Sequence, residues 1–105
     1  MFDKLEKVKQ RYNEIAELLN KPDAMSDQKE YIKLSKEYSS LTEIVNAYDE
    51  YNRVKDTMEK NNQLMYETND SELKELAKAE AEELEIKIEK LETEIKELLV
   101  PKDPN

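Results

Sequence analysis

The sequence predicts an all-α fold of three antiparallel helices with coiled-coil-like packing, in which a shorter N-terminal helix partly covers a long helical hairpin. Ala, Glu, Lys, Leu and Arg supply about half of the 105 residues, a composition typical of long helices and coiled coils. The chain contains no glycine, the residue that most readily forms tight turns with positive φ. Apolar residues recur at steps of three and four in three stretches, as one face of a helix requires.

The first predicted helix covers about residues 3–20. Asp3 near its start suits the positive end of the helix dipole. Pro22 disfavours a helical conformation in the residue before it, so the helix should end near residue 20. Its apolar stripe consists of Leu5, Val8, Tyr12, Ile15 and Leu19.

The second predicted helix covers about residues 27–66, with Ser26 as its N-cap. No Pro or Gly interrupts this range, so we expect one helix roughly 60 Å long. The Asn61–Asn62 pair is the place where the pattern indicates fraying or a bend. The stripe consists of Leu34, Tyr38, Leu41, Val45, Tyr48, Tyr51, Val54, Met58 and Met65.

The third predicted helix covers about residues 71–99 and carries the most regular stripe of the chain. Asn69 and Glu72 resemble a capping box, which predicts Asn69 as the N-cap. Pro101 should stop the helix, which makes residues 1–100 one helical domain and residues 101–105 the start of an interdomain linker. The stripe consists of Leu73, Ala77, Ala81, Leu84, Ile88, Leu91, Ile95 and Leu98.

The net charge of −9 is concentrated late in the chain, where residues 69–105 carry twelve acidic and six basic groups. Such a segment repels phosphate backbones, so we expect no direct contact with nucleic acid. It would suit a basic protein surface, although acidic residues also keep long helices soluble without binding anything. No long apolar run or secretory signal is present, which predicts a cytoplasmic, unprocessed chain without membrane contact.

The absence of Cys and His removes thiol nucleophiles, imidazole bases and nitrogen ligands for metals. The nearest approach to a site is a group of glutamates on the third helix, which we expect to be a solvated face because helical di-metal sites commonly add a His. We therefore predict no catalytic, cofactor-binding or metal-binding residue and no enzyme. The group consists of Glu80, Glu82, Glu83, Glu85 and Glu89.

Six tyrosines could pack in the core or contact a partner. Three of them fall on the stripes and are predicted to pack in the core: Tyr12, Tyr38 and Tyr48. The positions of Tyr31, Tyr51 and Tyr66 do not decide between the two roles. If Tyr51 or Tyr66 is exposed beside Met65, that patch becomes the first candidate for a protein contact.

Four stretches of the sequence carry a resemblance to a known family. They are Met1-Phe2-Asp3-Lys4-Leu5 with Arg11-Tyr12; Ser26-Asp27-Gln28 with Tyr31, Leu34 and Ser35-Lys36-Glu37-Tyr38; Ile44-Val45 with Ala47-Tyr48 and Tyr51; and Leu98-Leu99-Val100-Pro101-Lys102-Asp103-Pro104-Asn105. With these stretches the chain resembles the N-terminal domain of bacterial peptide chain release factor 1, which directs polypeptide release at the stop codons UAA and UAG.

The resemblance implies a domain that contacts the ribosome near its stalk base and the recycling GTPase of termination. The family's catalytic Gly-Gly-Gln motif and codon-reading Pro-Xaa-Thr motif are both missing, so no catalytic or codon-reading residue carries over. Composition and periodicity alone fit an autonomous coiled-coil adaptor or chaperone-like module equally well. They also leave open whether the chain self-associates and which face meets a partner.

Overall fold

The computed structural model describes residues 2–100, which form three α-helices, one short 3-10 helix and no strand. The helices are α1 (Asp3–Leu19), α2 (Gln28–Glu67) and α3 (Ser71–Leu99), and the 3-10 helix is Ala24–Ser26. The predicted ranges differ from these bounds by at most one residue. The all-α prediction is confirmed, whereas the predicted linker at residues 101–105 lies outside the described residues.

The chain divides into two compact units, residues 1–46 and residues 47–105. The first unit contains α1 and the first half of α2, and its buried apolar residues are Leu5, Ile15, Ile44 and Val45. The remaining positions of the predicted α1 stripe are half-buried. This unit therefore buries a narrow apolar face on each helix.

The second unit is a hairpin of the second half of α2 and α3. Its central cluster consists of Val54, Leu84 and Leu91, against which Tyr51, Met58 and Ile88 pack. Two polar contacts fix the register of this hairpin: a hydrogen bond between Asn61 and Ala77, and an ion pair between Glu50 and Lys87. Because the partner on α3 moves forward as the residue on α2 moves back, the two helices are antiparallel.

The N-cap residues of α2 and α3 differ from the predicted ones. Ser26 is not the N-cap of α2, because its hydroxyl donates to the Asp23 carbonyl at 2.7 Å within the 3-10 turn. Asp27 instead adopts an extended backbone, and its carboxylate accepts from the Glu30 amide at 3.2 Å. Asp27, which follows the predicted cap, thus supplies the acceptor that the free amides at the start of α2 require.

Asn69 is likewise not the N-cap of α3. The Asp70 carboxylate accepts from the amides of Glu72 and Leu73, at 3.0 and 3.3 Å, and Ser71 is the first helical residue. The Thr68 hydroxyl accepts from the Asp70 amide, which sets the turn without a positive φ angle in residues 2–100. A carboxylate at this position also interacts favourably with the helix dipole, which a neutral Asn does not.

The predicted stripes are wrong at two places. Leu73 is 37% exposed, although the predicted stripe of α3 includes it. Ile44 and Ala47 are buried although they lie off the predicted stripe of α2. Together with Val45 and Tyr48 they show that this part of α2 is covered over a wider arc than one stripe.

Candidate functional site

The end of the α2–α3 hairpin carries the most exposed large apolar side chain of the described residues, Tyr66, which is 91% exposed. Met65 beside it is half-buried. The two residues line an open groove whose other members are Asn62, Lys74, Glu75 and Lys78, and we call it the hairpin-end groove. This arrangement meets the condition set by the sequence, that Tyr51 or Tyr66 be exposed beside Met65.

A second groove adjoins the first along α3. It is lined by Ser71, Glu72, Glu75 and Leu76, and it shares Glu75 with the hairpin-end groove. Leu76 is 68% exposed. The apolar surface at this end of the hairpin is therefore broader than the Tyr66 side chain alone.

Below this end, Asn61 joins the two helices of the hairpin. Its side-chain amide donates to the Ala77 carbonyl at 2.7 Å, and α2 continues without interruption to Glu67. The sequence indicated fraying or a bend at Asn61–Asn62; α2 does not fray there, and Asn61 contacts α3. The hairpin-end groove is thus flanked by a fixed contact between its two helices.

Glu50 is the most strongly perturbed carboxylate of the second unit. Arg53 donates to it in a two-pronged contact, with Nε 2.9 Å from Oε2, and Lys87 lies 3.4 Å away across the hairpin. Hydrogen bonding from Arg53, helped by Lys87, lowers the pKa of Glu50 to about 2. Lys87 of α3 thus pairs with a carboxylate on α2.

The first unit contains a polar contact of a different kind. Arg11 of α1 donates to both carboxylate oxygens of Glu37 on α2, at 2.7 and 3.0 Å. This hydrogen bonding lowers the pKa of Glu37 and raises that of Arg11. Two-pronged pairs of this kind fix orientation as well as distance, so the contact sets how α1 lies against α2.

Tyr12 and Tyr38 stack beside that pair, with ring centroids 4.3 Å apart and planes inclined by 10°. Thr42 lies 3.1 Å from the Tyr12 hydroxyl and donates to the Tyr38 carbonyl at 2.9 Å. A hydrogen bond with Tyr12, together with burial, raises the pKa of Tyr38. Both rings are half-buried and Tyr48 is buried, so these three tyrosines belong to the packing of the helices.

The glutamates predicted to form a solvated face are all exposed: Glu80, Glu82, Glu83, Glu85 and Glu89. Within residues 2–100, no group of three Asp or Glu side chains is placed to hold a metal ion. The same residues contain no helix with the length and apolar character that crossing a membrane requires. We call these five exposed glutamates the acidic face of α3. None of them lines the hairpin-end groove.

Comparison with known proteins places this arrangement in a family. The PCRF domain matches residues 8–105. The chain belongs to the PCRF domain family. Relatives of this PCRF domain include peptide chain release factor 1 of Chloroherpeton thalassium, 46% identical over 103 residues that cover 98% of the chain and 29% of the relative. This match confirms the resemblance to release factor 1.

Two further relatives of this PCRF domain are matched along its whole length. Peptide chain release factor 1 of Geobacter metallireducens is 48% identical over 105 residues, and that of Cytophaga hutchinsonii is 43% identical over 105 residues. In each case the chain spans 29% of the relative's length. No solved structure matches the chain.

The sequence predicted the exposed patch conditionally but missed the side chains that surround it. Lys74 and Lys78 were not singled out, although their spacing of four places them on one side of α3. The Arg11–Glu37 pair was also missed, and no local signal could have found it, because its members lie 26 residues apart.

Proposed function

We propose that this PCRF domain is the N-terminal helical domain of a release factor that directs polypeptide release at UAA and UAG. The match of the PCRF domain to residues 8–105 carries the proposal, and the named relatives support it. Residues 1–100 would form the domain and residues 101–105 the start of its linker. We expect the factor in the cytoplasm, where translation takes place.

Within that factor we propose a docking role, with the ribosome near its stalk base and the recycling GTPase as partners. The Gly-Gly-Gln motif cannot occur in a chain without glycine, so catalysis and codon reading would belong to other parts of the factor. The exposed acidic face of α3 supports a basic protein partner over RNA. The domain by itself would then be neither an enzyme nor a nucleic-acid binder.

An autonomous coiled-coil adaptor or chaperone-like module is not favoured, because the matched relatives are release factors. The gene sequence beyond residue 105 distinguishes the two hypotheses. An open reading frame that carries Gly-Gly-Gln supports the release factor, and a stop codon directly after residue 105 supports the adaptor.

Charge reversal in the full-length factor tests the docking role. Glu82, Glu83 and Glu89 are exposed, and changing all three to Lys should weaken GTPase-stimulated turnover while sparing codon-dependent release. The loss should be larger at low salt, because exposed charges are screened beyond about 10 Å at ~0.1 M. A matched control changes Glu17, Glu43 and Glu59, which are exposed on α1 and α2, to Lys. Equal turnover of both variants would contradict the role assigned to the acidic face.

A further inference from the structure

The hairpin-end groove presents apolar surface that nothing in the described chain covers. Tyr66 is 91% exposed. Leu76 in the adjoining groove is 68% exposed. Exposed aromatic and aliphatic side chains in adjoining grooves are typical of protein contact sites, where such residues act as anchors.

The same groove holds two cationic side chains with no counterion. Lys74 and Lys78 lie one turn apart on α3, and neither forms an ion pair among the described residues. Lys60 and Lys87 of the same unit do form pairs, with Asp56 and Glu50. Two ammonium groups without a counterion thus lie in the same groove as the apolar anchor Tyr66.

We propose that the hairpin-end groove binds an acidic protein segment that presents an apolar side chain between its carboxylates. The carboxylates would pair with Lys74 and Lys78, and the apolar side chain would pack on Met65 and Tyr66. This inference rests on the proposed docking role and adds the chemistry of one partner. The groove would thus bind an acidic segment, whereas the acidic face of α3 is expected to bind a basic protein surface.

Single-stranded RNA is the other ligand that lysines beside an exposed aromatic ring can bind, through stacking and phosphate contacts. The acidic residues around the hairpin-end groove disfavour RNA as its ligand. Glu75 lies in the groove itself, Glu72 lines the adjoining one, and residues 69–105 carry twice as many acids as bases. A chain of phosphates would meet these carboxylates, whereas a protein segment can place carboxylates at the lysines and neutral groups elsewhere.

Binding of a short synthetic peptide to the 105-residue chain tests the proposal. The probe carries Asp and Glu around a Leu-Phe pair, and its fluorescence anisotropy is followed at low salt. Changing Lys74 and Lys78 together to Glu should raise the Kd on the order of tenfold or more, because two attractions become repulsions. The matched control changes Lys90 and Lys96, also exposed on α3, to Glu and should leave the Kd nearly unchanged.

A second variant separates the apolar contact from the charges. Tyr66→Ala should weaken binding of the acidic peptide, and Tyr66→Phe should retain it, because the ring rather than the hydroxyl makes the contact. Neither change should unfold the chain, since the side chain is exposed.

Three results would overturn the proposal: no binding of the acidic peptide, equal loss in the Lys74/Lys78 and Lys90/Lys96 variants, or tighter binding of an oligouridine RNA than of the peptide. A peptide in which Lys replaces Asp and Glu should not bind. Failure here leaves the release-factor assignment intact, because that is tested by the reading frame and by turnover on the ribosome. If the reading frame or the turnover experiment contradicts the release-factor assignment, the anisotropy measurement still decides whether the groove binds the acidic peptide.

Discussion

In residues 1–46 a two-pronged ion pair and a tyrosine stack accompany the narrow apolar face between α1 and α2, whereas in residues 47–100 an apolar cluster, one side-chain amide and one ion pair join α2 to α3. Polar contacts depend on a few exact partners, and an apolar stripe depends on many similar ones. The two units should therefore respond differently to substitution. Loss of side-chain volume should have the largest effect in the second unit, and loss of a hydrogen-bond partner should have a measurable effect in both units.

The largest effect is expected in the apolar cluster of the second unit. Leu84 is 8% exposed and packs with Val54 and Leu91, so Leu84→Ala should lower the free energy of unfolding by about 2–5 kcal/mol. Leu76→Ala is the control, because Leu76 is 68% exposed and its truncation should cost no more than about 0.5 kcal/mol. Urea unfolding followed by circular dichroism measures both. Equal costs would show that the buried face of α3 is wrongly assigned.

A smaller effect is expected at the single amide that joins α2 to α3. Asn61→Ala removes the hydrogen bond to Ala77 and should cost about 0.5–1.5 kcal/mol. Asn62 is exposed on the next position of the helix, so Asn62→Ala should be nearly neutral. The same unfolding experiment compares the two variants. If Asn62→Ala proved the more harmful, the contact across the hairpin would not be what stabilises this region.

In the first unit, removal of one hydroxyl tests whether the polar network is cooperative. Tyr12→Phe keeps the stacked ring but loses the contact with Thr42, and it should cost about 0.5–1.5 kcal/mol. The Thr42→Val variant removes the same contact from the other side. In a double-mutant cycle the two losses should be less than additive, because each removes a bond that they share. Strictly additive losses would mean that the hydroxyls act independently.

The smallest effect concerns pH. The Glu50 carboxyl has an ordinary pKa of 4.5, and its pKa in the folded chain is about 2. Protonation therefore favours the unfolded state, so the stabilisation is complete above pH 4.5 and is lost as the pH falls toward 2. Glu50→Gln should flatten the dependence of the unfolding free energy on pH across this window. An unchanged slope would show that the Arg53 and Lys87 contacts contribute nothing.

The helices were predictable from the sequence because their signals are local. Steps of three and four place apolar residues on one face, and Pro22 and Pro101 limit the ends of two stretches. The caps were missed by one residue at Ser26 and Asn69, because the choice between neighbouring polar residues depends on backbone geometry. Periodicity also gave no warning that Leu73 would be exposed, since it does not specify where coverage by a neighbouring helix ends.

The candidate site was predictable only in part. Tyr66 and Met65 could be singled out as a candidate contact patch on the condition that the tyrosine is exposed. Their grouping with Lys74 and Lys78 depends on the turn at residues 68–70, which determines which residues of α3 face the end of α2. Long-range pairs such as Arg11–Glu37 share this property, because both members are ordinary charged residues until the fold brings them together.

The role proposed for this PCRF domain is to dock the release factor to its partners, with peptide release left to other parts of the factor. Deletion of residues 1–100 from the full-length factor tests it directly, with codon-dependent release and GTPase-stimulated turnover measured on the same ribosomes. We expect release to be largely retained and stimulation of turnover by the GTPase to be lost. Abolished release, or turnover that the GTPase stimulates as well as before, would contradict it.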